Sequence, residues 1–460
     1  MSRAIKSICA TLVITFTVSS AFAFSLVGPF TEYQTTEIGY DVDDDFGGPM
    51  NLGEGYRWNI KTITWGFDDD FLLYFGNPGS NALYEAMEIL NGLRPFSKMS
   101  ATLSEFPTDT MRINHVAAAL GLMDLKSATL GLMMGQLGLT APERYVWALR
   151  SRQDVDGTVQ YLVIMRNFDP VRRVPTPYVN DVLYTYAIID PIPFQGGSFA
   201  DAVEIPVDPD ALRPFSSVAS FDDLMRGENP VFGVGNYWTG LTRDDVGGLR
   251  YLYEKGKLNS RMESLVPGVT NSIGGGSGSP WGPISGSNAV VDVALRTGVD
   301  KIQFQFMKST FGVFTPRTNS FVDMYYTNNF RQVKQRVERV LEVPDILFSA
   351  ADLGLSDGGL PILYARTTAA SGSNFVNNAS LNSPLGTGST DGPGQINPSV
   401  VITFSKLGPS LVNQDSAFLD QANASPNVAW GSFGGGTNII IYPVGTTIQD
   451  RELLLFRNQF

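Results

Sequence analysis

Apolar side chains recur at helical spacing in three stretches of the first half of the chain. Residues 81–93 carry apolar positions on one face, which predicts an amphipathic helix. A second helical region spans 111–137, and its later part is apolar all round, as expected of a buried helix. Residues 242–255 predict a third helix, because acidic residues follow a threonine at its start.

Elsewhere the pattern is that of strands. Residues 144–207 form short alternating runs separated by turns such as Asp156-Gly157, which predicts paired strands. The apolar runs beyond the Gly/Ser/Pro-rich stretch 272–288 predict an antiparallel sandwich. Residues 330–343 fit either a helix or a strand and are assigned to a strand from their neighbours, and the last ten residues are also assigned to a strand.

These patterns predict an α+β protein with an N-terminal α/β domain and a β-rich, sandwich-like C-terminal domain. The predicted divisions are a signal peptide 1–23, an irregular segment 24–60, a domain 61–256 with a strand-rich insertion 144–207, a linker 257–288 and a sandwich-like domain 289–460.

The first 23 residues have the pattern of a secretory signal peptide. Arg3 and Lys6 precede a short apolar run, and Ala21-Phe22-Ala23 supplies a cleavage pattern that makes Phe24 the new N-terminus. An uncleaved membrane anchor is the alternative. Export predicts a secreted, periplasmic or cell-surface protein, and cleavage would remove the only cysteine, Cys9.

The net charge of the chain excludes some classes of binding partner. A net charge of −12 argues against nucleic acid, which requires a basic face, and against adhesion to anionic lipid. The expected partner is therefore an extracellular protein or glycan.

One segment resembles a known family. LTRDDVGGLRYLYE, residues 241–254, is similar to the closing helix of the matrixin-type metzincins, which are zinc endopeptidases. In the same order, ITWGFDDDF resembles their first strand, NALYEAMEILNGL their first helix, SATLGLMMGQLGL their active-site helix and SSVAS their Met-turn. The resemblance implies a metzincin-like fold over the domain 61–256.

A wider set of segments resembles a family of secreted bacterial proteins without an established activity. These segments are MDLKSATLGLMMGQLGL, PERYVWALR, TGLTRDDVGGLRYLYE and VPDILFSAADLG. The resemblance covers much of the mature chain and implies a metzincin-like domain that lacks the zinc-binding motif.

The residues at the family's metal positions cannot bind zinc. The resemblance places Gly131, Gly135 and Ala141 where the three histidines stand and Leu132 where the glutamate stands. Catalytic zinc needs three protein ligands and a base. The chain has one histidine, so we expect no zinc, no cofactor and no catalytic residue of the zinc type. The helix is instead expected to be core, with Leu130, Met134 and Leu137 buried, small glycines allowing close packing, and Ala219 at the Met-turn position.

Three other groups of residues could carry chemistry. Asp41, Asp43 and Asp45, beside glycines, are candidates for a calcium loop, but solvated acids are favoured because the spacing of a known calcium loop is missing. The run 68–70 is interpreted as a turn or helix cap. His115 is interpreted as a packed or hydrogen-bonded residue.

Two functions remain open from the sequence. The favoured one is an exported, non-catalytic protein with a binding or structural role, built on a degenerate metzincin-like domain. The alternative is an extracellular hydrolase, a peptidase or glycosidase, that uses carboxylates without zinc.

We expect the purified mature protein to contain no stoichiometric zinc, because His115 alone cannot provide a three-histidine site. Elemental analysis measures this directly, and chelator should leave the thermal unfolding midpoint unchanged unless the loop near Asp43 binds calcium. Stoichiometric zinc together with chelator-sensitive peptide cleavage would contradict the prediction.

Overall fold

The computed structural model describes most of the first half of the chain and separate parts of the second. The described residues are 23–29, 46–52, 57–58, 60–189, 203–207, 216–221, 233–255, 295–326, 332–350, 353, 374–376, 395–397, 399–402, 404 and 429–457. The predicted signal peptide up to residue 22 and the predicted linker 257–288 lie outside them.

Helices and strands are mixed along the described chain, so the protein is of the α+β class. The α-helices are α1 Asp69–Gly92, α2 His115–Ala119, α3 Leu125–Gln136, α4 Arg243–Tyr253 and α5 Ile448–Arg457, with 3-10 turns at Phe96–Lys98 and Val218–Ser220.

The strands of the first half are β1 Phe24–Pro29, β2 Phe46–Met50, β3 Thr62–Phe67, β4 Met111–Ile113, β5 Leu122–Asp124, β6 Leu139–Thr140, β7 Trp147–Val155, β8 Thr158–Met165, β9 Asn167–Phe168, β10 Tyr178–Val179, β11 Val182–Leu183, β12 Thr185–Ile189, β13 Val203–Val207 and β14 Asn236–Trp238. Those of the second half are β15 Leu295–Arg296, β16 Gln303–Phe306, β17 Ser309–Thr310, β18 Val313–Phe314, β19 Arg317–Tyr326, β20 Gln332–Leu341, β21 Ile346–Phe348, β22 Asn374–Val376, β23 Gln395–Asn397, β24 Val400–Ile402, β25 Ala429–Ser432 and β26 Ile440–Ile441.

Side-chain hydrogen bonds cap the N-termini of helices α1 and α4. Asp68 caps α1 by accepting a hydrogen bond from the Phe71 N–H at 2.7 Å, so the helix begins earlier than predicted and the expected cap role of this acidic run is confirmed. Thr242 and Asp245 form a capping box at α4, in agreement with the predicted helix start.

Two predictions of secondary structure are corrected. The helical region expected at 111–137 is divided into strand β4, the short helix α2, strand β5 and helix α3. The last ten residues, expected as a strand, belong largely to helix α5. Its start is a capping box in which Thr447 and Asp450 exchange hydrogen bonds, and that local pattern favours a helix. Strand β20, which was ambiguous from sequence, is confirmed as a strand.

The N-terminal strand is the centre of a sheet. Strand β1 pairs antiparallel with β2, β6 and β9, and residues 23–27, at its start, are buried. The chain therefore places the residues that follow the predicted signal peptide in the core, beside helix α4.

A second sheet joins distant parts of the chain. Its order is β16-β3-β21-β24, and β3 pairs parallel with β16 on one side and β21 on the other. Strands from beyond residue 288 thus hydrogen-bond to a strand of the region 61–256, and the sheet crosses the predicted boundary at 257–288. Because these strands run parallel, the expected antiparallel sandwich does not describe this part of the second half.

A buried ion pair fixes this sheet to the hairpin β19–β20. Arg339 and Asp345 are 1% and 0% exposed and lie 2.5 Å apart, and the Asp345 carboxylate also accepts hydrogen bonds from the N–H and hydroxyl of Thr64. Removing one partner of such a pair leaves an uncompensated buried charge, so the contact specifies how strand β3 meets the C-terminal half.

Helix α3 packs closely against the turn at Val218–Ser220. A Cβ atom at Gly131 would lie 2.6 Å from the Phe221 Cβ, whereas one at Gly135 would meet no atom within 4 Å. The expected close packing is therefore confirmed at Gly131 and wrong at Gly135. Leu130, Met134 and Leu137 are buried, as expected of a core helix.

The matched pair Gly131→Ala and Gly135→Ala tests this packing. We expect Gly131→Ala to lower the free energy of unfolding by about 1–3 kcal/mol, because the added methyl group overlaps the Phe221 side chain. Gly135→Ala should be neutral or stabilising by up to about 1 kcal/mol, because alanine is the better helix former. Denaturant unfolding of both variants gives the comparison, and equal effects would contradict the packing account.

Candidate functional site

The helix that resembles a zinc-binding helix has an apolar, buried interior. Gly131, Leu132, Gly135 and Ala141, which occupy the metal positions by resemblance, are all buried, and none carries a metal ligand. These residues do not fit a zinc ion. Among the described residues no group of three or more His, Cys, Asp and Glu side chains is placed to hold a metal.

Two carboxylates bind the turn that faces this helix. Asp245 accepts hydrogen bonds from the backbone N–H groups of Val218 and Ala219, at 3.1 and 3.0 Å, and from the Ser217 hydroxyl at 2.5 Å. The same carboxylate binds the N–H and hydroxyl of Thr242. Asp245 therefore joins the start of helix α4 to the turn at Val218–Ser220.

Glu143 binds the same turn from its other side. Its Oε1 accepts the backbone N–H groups of Ser216 and Ser217, at 2.9 and 3.0 Å, and its Oε2 accepts the hydroxyl of Ser220. Burial raises the pKa of Glu143 to about 7, although these hydrogen bonds lower it. Four consecutive backbone N–H groups, 216–219, thus donate to two buried carboxylates, an arrangement that suits anions.

Asp244 is a third buried carboxylate beside Asp245 and Glu143. Its Oδ2 accepts the N–H of Asn180 at 2.5 Å, while its Oδ1 has no hydrogen-bond partner among the described residues. Burial raises the pKa of Asp244, and the neighbouring Asp245 and Glu143 add to the increase. We call Glu143, Asp244 and Asp245 the acidic network.

Substrate has no visible route to the acidic network in the described structure. Glu143, Asp244 and Ser220 have no exposed surface, and the space beside Asp244 and Asp245 is too small to admit a water molecule. The carboxylates converge as a hydrolase would require, but they do so inside the core. In the structure these carboxylates hold the backbone of residues 216–219 and of Asn180 in place.

An open groove on the surface is positively charged, in contrast to the buried acidic network. Its volume is about 510 Å³, and four lysines line it: Lys61, Lys255, Lys301 and Lys334. They come from the start of strand β3, the end of helix α4, the segment before β16 and strand β20, respectively. The groove therefore forms only where both halves of the chain meet. We call it the lysine groove.

The remaining lining of the groove is largely apolar. Val299, Phe321, Val322 and Met324 form its walls, together with Pro95, Thr297, Gly298 and Gln303. The one acid in the lining, Asp300, accepts the N–H and hydroxyl of Ser97, both at 2.8 Å. No ion pair joins the four lysines to an acid in the described part of the chain. The groove can therefore bind an anionic group beside an apolar one.

The sequence alone predicts neither the acidic network nor the lysine groove. Glu143 stands alone in PERYVW, and its role depends on a turn more than 70 residues later in the chain. The four groove lysines are scattered between residues 61 and 334, so no local charge cluster marks them.

The other residues singled out from sequence lie elsewhere. Asp41, Asp43 and Asp45 are outside the described residues. His115 is the first residue of helix α2 and is exposed, so its interpretation as a packed residue is wrong. No described helix is long and apolar enough to cross a membrane.

Comparison of the chain with protein-family models, with curated proteins and with solved structures finds no match.

The raised pKa of Glu143 predicts how stability depends on pH. In the unfolded chain the carboxyl loses its proton near its ordinary pKa of 4.5, whereas the folded protein holds it to about 7. The free energy of unfolding should therefore fall as pH rises from about 4.5 to 7, by roughly 3 kcal/mol for this group. Asp124, whose pKa burial raises to about 6, acts in the same direction over a lower range.

The variant Glu143→Gln should remove its part of this pH dependence, because the amide does not titrate. Denaturant unfolding at pH 4.5, 6 and 7.5 measures the effect, and Asp124→Asn should flatten the curve only at the lower pH values. A wild-type curve and a Glu143→Gln curve of the same slope would show that Glu143 is not protonated in the fold.

Proposed function

We propose that the protein is an exported, non-catalytic binding protein that holds an anionic extracellular ligand in the lysine groove. The observation that carries the proposal is the charge of this groove, in which four lysines and one acid line a single cavity of a chain whose net charge is −12. A local concentration of one sign inside a surface of the other sign selects and orients a ligand.

The chemistry of the lining indicates what this ligand carries. Lysine ammonium groups are flexible point charges that bind carboxylate, sulfate or phosphate without demanding one geometry. Phe321 and Met324 supply apolar surface between them. Acidic glycans and acidic peptides both combine these features, and both occur outside the cell.

We propose further that the scaffold of this binding protein is a metzincin-like domain without its metal. Two features support it: the acidic pair at the start of α4 binds the turn that stands in the place of the Met-turn, and that turn packs on the helix that stands in the place of the zinc helix. Their connections depend on buried carboxylates and not on zinc.

One observation favours the alternative, a hydrolase without zinc. The Ser220 hydroxyl donates to Glu143, whose pKa is raised to about 7, and a serine beside a carboxylate of that pKa is a nucleophile with a general base. Burial of both residues weighs against it. If the protein cleaves a peptide or glycoside, Ser220→Ala and Glu143→Gln should each abolish cleavage.

Binding to two polyanions tests the main proposal. We expect the mature protein to bind an immobilised sulfated polysaccharide or polyglutamate, and the binding to weaken as salt is raised. The double variant Lys61→Glu/Lys334→Glu should weaken binding by about tenfold or more, because it reverses two of the four groove charges.

The control is Lys308→Glu, an exposed lysine that does not line the groove. It makes half of the same change in net charge and should leave binding nearly unchanged. If Lys308→Glu and the groove variants weaken binding equally, the attraction is general and the groove is not the site. If neither polyanion binds, the proposal is wrong.

A further inference from the structure

Helix α5, Ile448–Arg457, lies on the surface and buries none of its residues. Thr447 and Asp450 cap its start, and a cap of this kind contributes only about 1 kcal/mol. A helix of ten residues is marginal in water by itself, because most helical stability in proteins comes from packing an apolar face. Its own chain gives α5 little of that packing, so this is an element that a partner would stabilise.

One side of α5 is attached to the rest of the molecule and the other side is open. The Arg451 Nε donates a hydrogen bond at 2.9 Å to the carbonyl oxygen of Leu120, just beyond helix α2. Leu453, Leu454 and Phe456 are 58%, 48% and 64% exposed. We call these three residues the α5 face. Single exposed apolar side chains are common, but several adjoining ones on one element mark an interaction surface.

The surface beside α5 is also apolar. Val444 and Ile448, at the approach to the helix, are exposed, and so is Val116, which lies one helical turn before Leu120. An occupant of the α5 face can therefore extend onto further apolar surface, and removing that surface from water favours its binding.

The two charges of the open side select the occupant. Asp450 stands three residues before the leucine pair 453–454, Arg457 stands three residues after it, and positions three and four apart share one side of a helix. The Asp450 Oδ2 serves the Thr447 cap, and Arg457 has no ion pair in the described part of the chain. Both side chains are exposed, so each can meet an opposite charge from another molecule.

A second copy of helix α5 fits this pattern when the two helices run antiparallel. A twofold axis between Leu453 and Leu454 exchanges positions 450 and 457, so the aspartate of each helix faces the arginine of the copy. The helix dipoles also lie favourably, because the positive start of one helix is beside the negative end of the other. A parallel pair would instead set aspartate against aspartate and arginine against arginine, which is unfavourable.

We propose that the α5 face is the interface of a symmetric dimer, in which two copies of this chain pair through antiparallel α5 helices. Each contact is made twice, as a twofold interface requires, with the leucines at the centre and an Asp450–Arg457 pair at each end. Exposed ion pairs contribute little energy, so the apolar side chains supply most of the attraction and the charges fix direction and register. The inference goes beyond the proposed function and depends neither on export nor on a ligand in the lysine groove.

The size of the α5 face sets the strength of association. Each helix is about 15 Å long, and two such helices bury less than the roughly 1,200 Å² at which stable interfaces begin. We therefore expect monomer and dimer to exchange, with a dissociation constant on the order of 10 μM.

Sedimentation of the purified mature protein over a range of concentrations tests the dimer. We expect the average mass to rise from that of one chain toward that of two as the concentration increases from about 1 to 200 μM. Leu453→Asn should weaken association by about tenfold or more, because it places a polar group at the centre of the interface. The matched control is Leu162→Asn, which changes a leucine of strand β8 that is 53% exposed and should leave association unchanged.

Exchange of charges tests the antiparallel direction. Asp450→Arg and Arg457→Glu should each weaken self-association, because each sets like charges opposite one another at both ends of the pair. A mixture of the two variants should associate again, since both ends of the mixed pair then join opposite charges. Asp450→Arg also removes the cap, but that loss is the same in the mixture, so recovery on mixing reports only the pairing.

Four results would overturn the proposal. A protein that stays monomeric at about 200 μM lacks the interface, and assembly beyond two chains contradicts the twofold arrangement. Equal effects of Leu453→Asn and Leu162→Asn would place the contact on another surface. A mixture of the two charge variants that stays monomeric would rule out antiparallel pairing. None of these results bears on the polyanion test of the lysine groove.

Discussion

The Asp245 carboxylate accepts hydrogen bonds from two segments that make no ladder with each other, the start of helix α4 and the turn at Val218–Ser220. The backbone N–H groups of residues 216–219 donate to side chains and not to a strand or helix, and an unpaired buried N–H is costly. Because Asp245 and Glu143 satisfy those groups, the turn can lie flat against Gly131 of helix α3. The packing of α3 and α4 in the core depends on these carboxylates, which is why polar residues occupy so buried a place.

The parallel sheet imposes the second constraint. Strand β3 can pair with β16 and β21 only if the chain beyond residue 288 returns to the first half, and the buried pair of Arg339 and Asp345 holds it there through Thr64. The lysine groove is a consequence of this return, since Lys61 and Lys334 meet only when strands β3 and β20 are brought together. The candidate binding site is therefore a product of long-range pairing.

Local patterns in the sequence predict the helices whose start or burial depends on residues close by in the chain. The Thr242 cap and the apolar stripe predicted helix α4, and the composition of α3 predicted its burial, because both depend on neighbours within a few residues. The apolar run near the end of the chain predicts a strand, and this prediction is wrong because Thr447 and Asp450 form a capping box that starts helix α5. The partners of β3 and of Glu143 lie tens to hundreds of residues away, and no local pattern encodes them.

The net charge of the chain does not describe the charge at its individual sites. Glu143, Asp244 and Asp245 lie in the core, where they bind backbone N–H groups, and the raised pKa of Glu143 shifts the pH range of greatest stability downward. Four lysines surround one groove, so a ligand there meets a positive field although the chain as a whole is acidic. The acidity that argues against nucleic acid as a partner thus says little about this groove, where the local balance of charge, and not the sum over the chain, determines which ligand can bind.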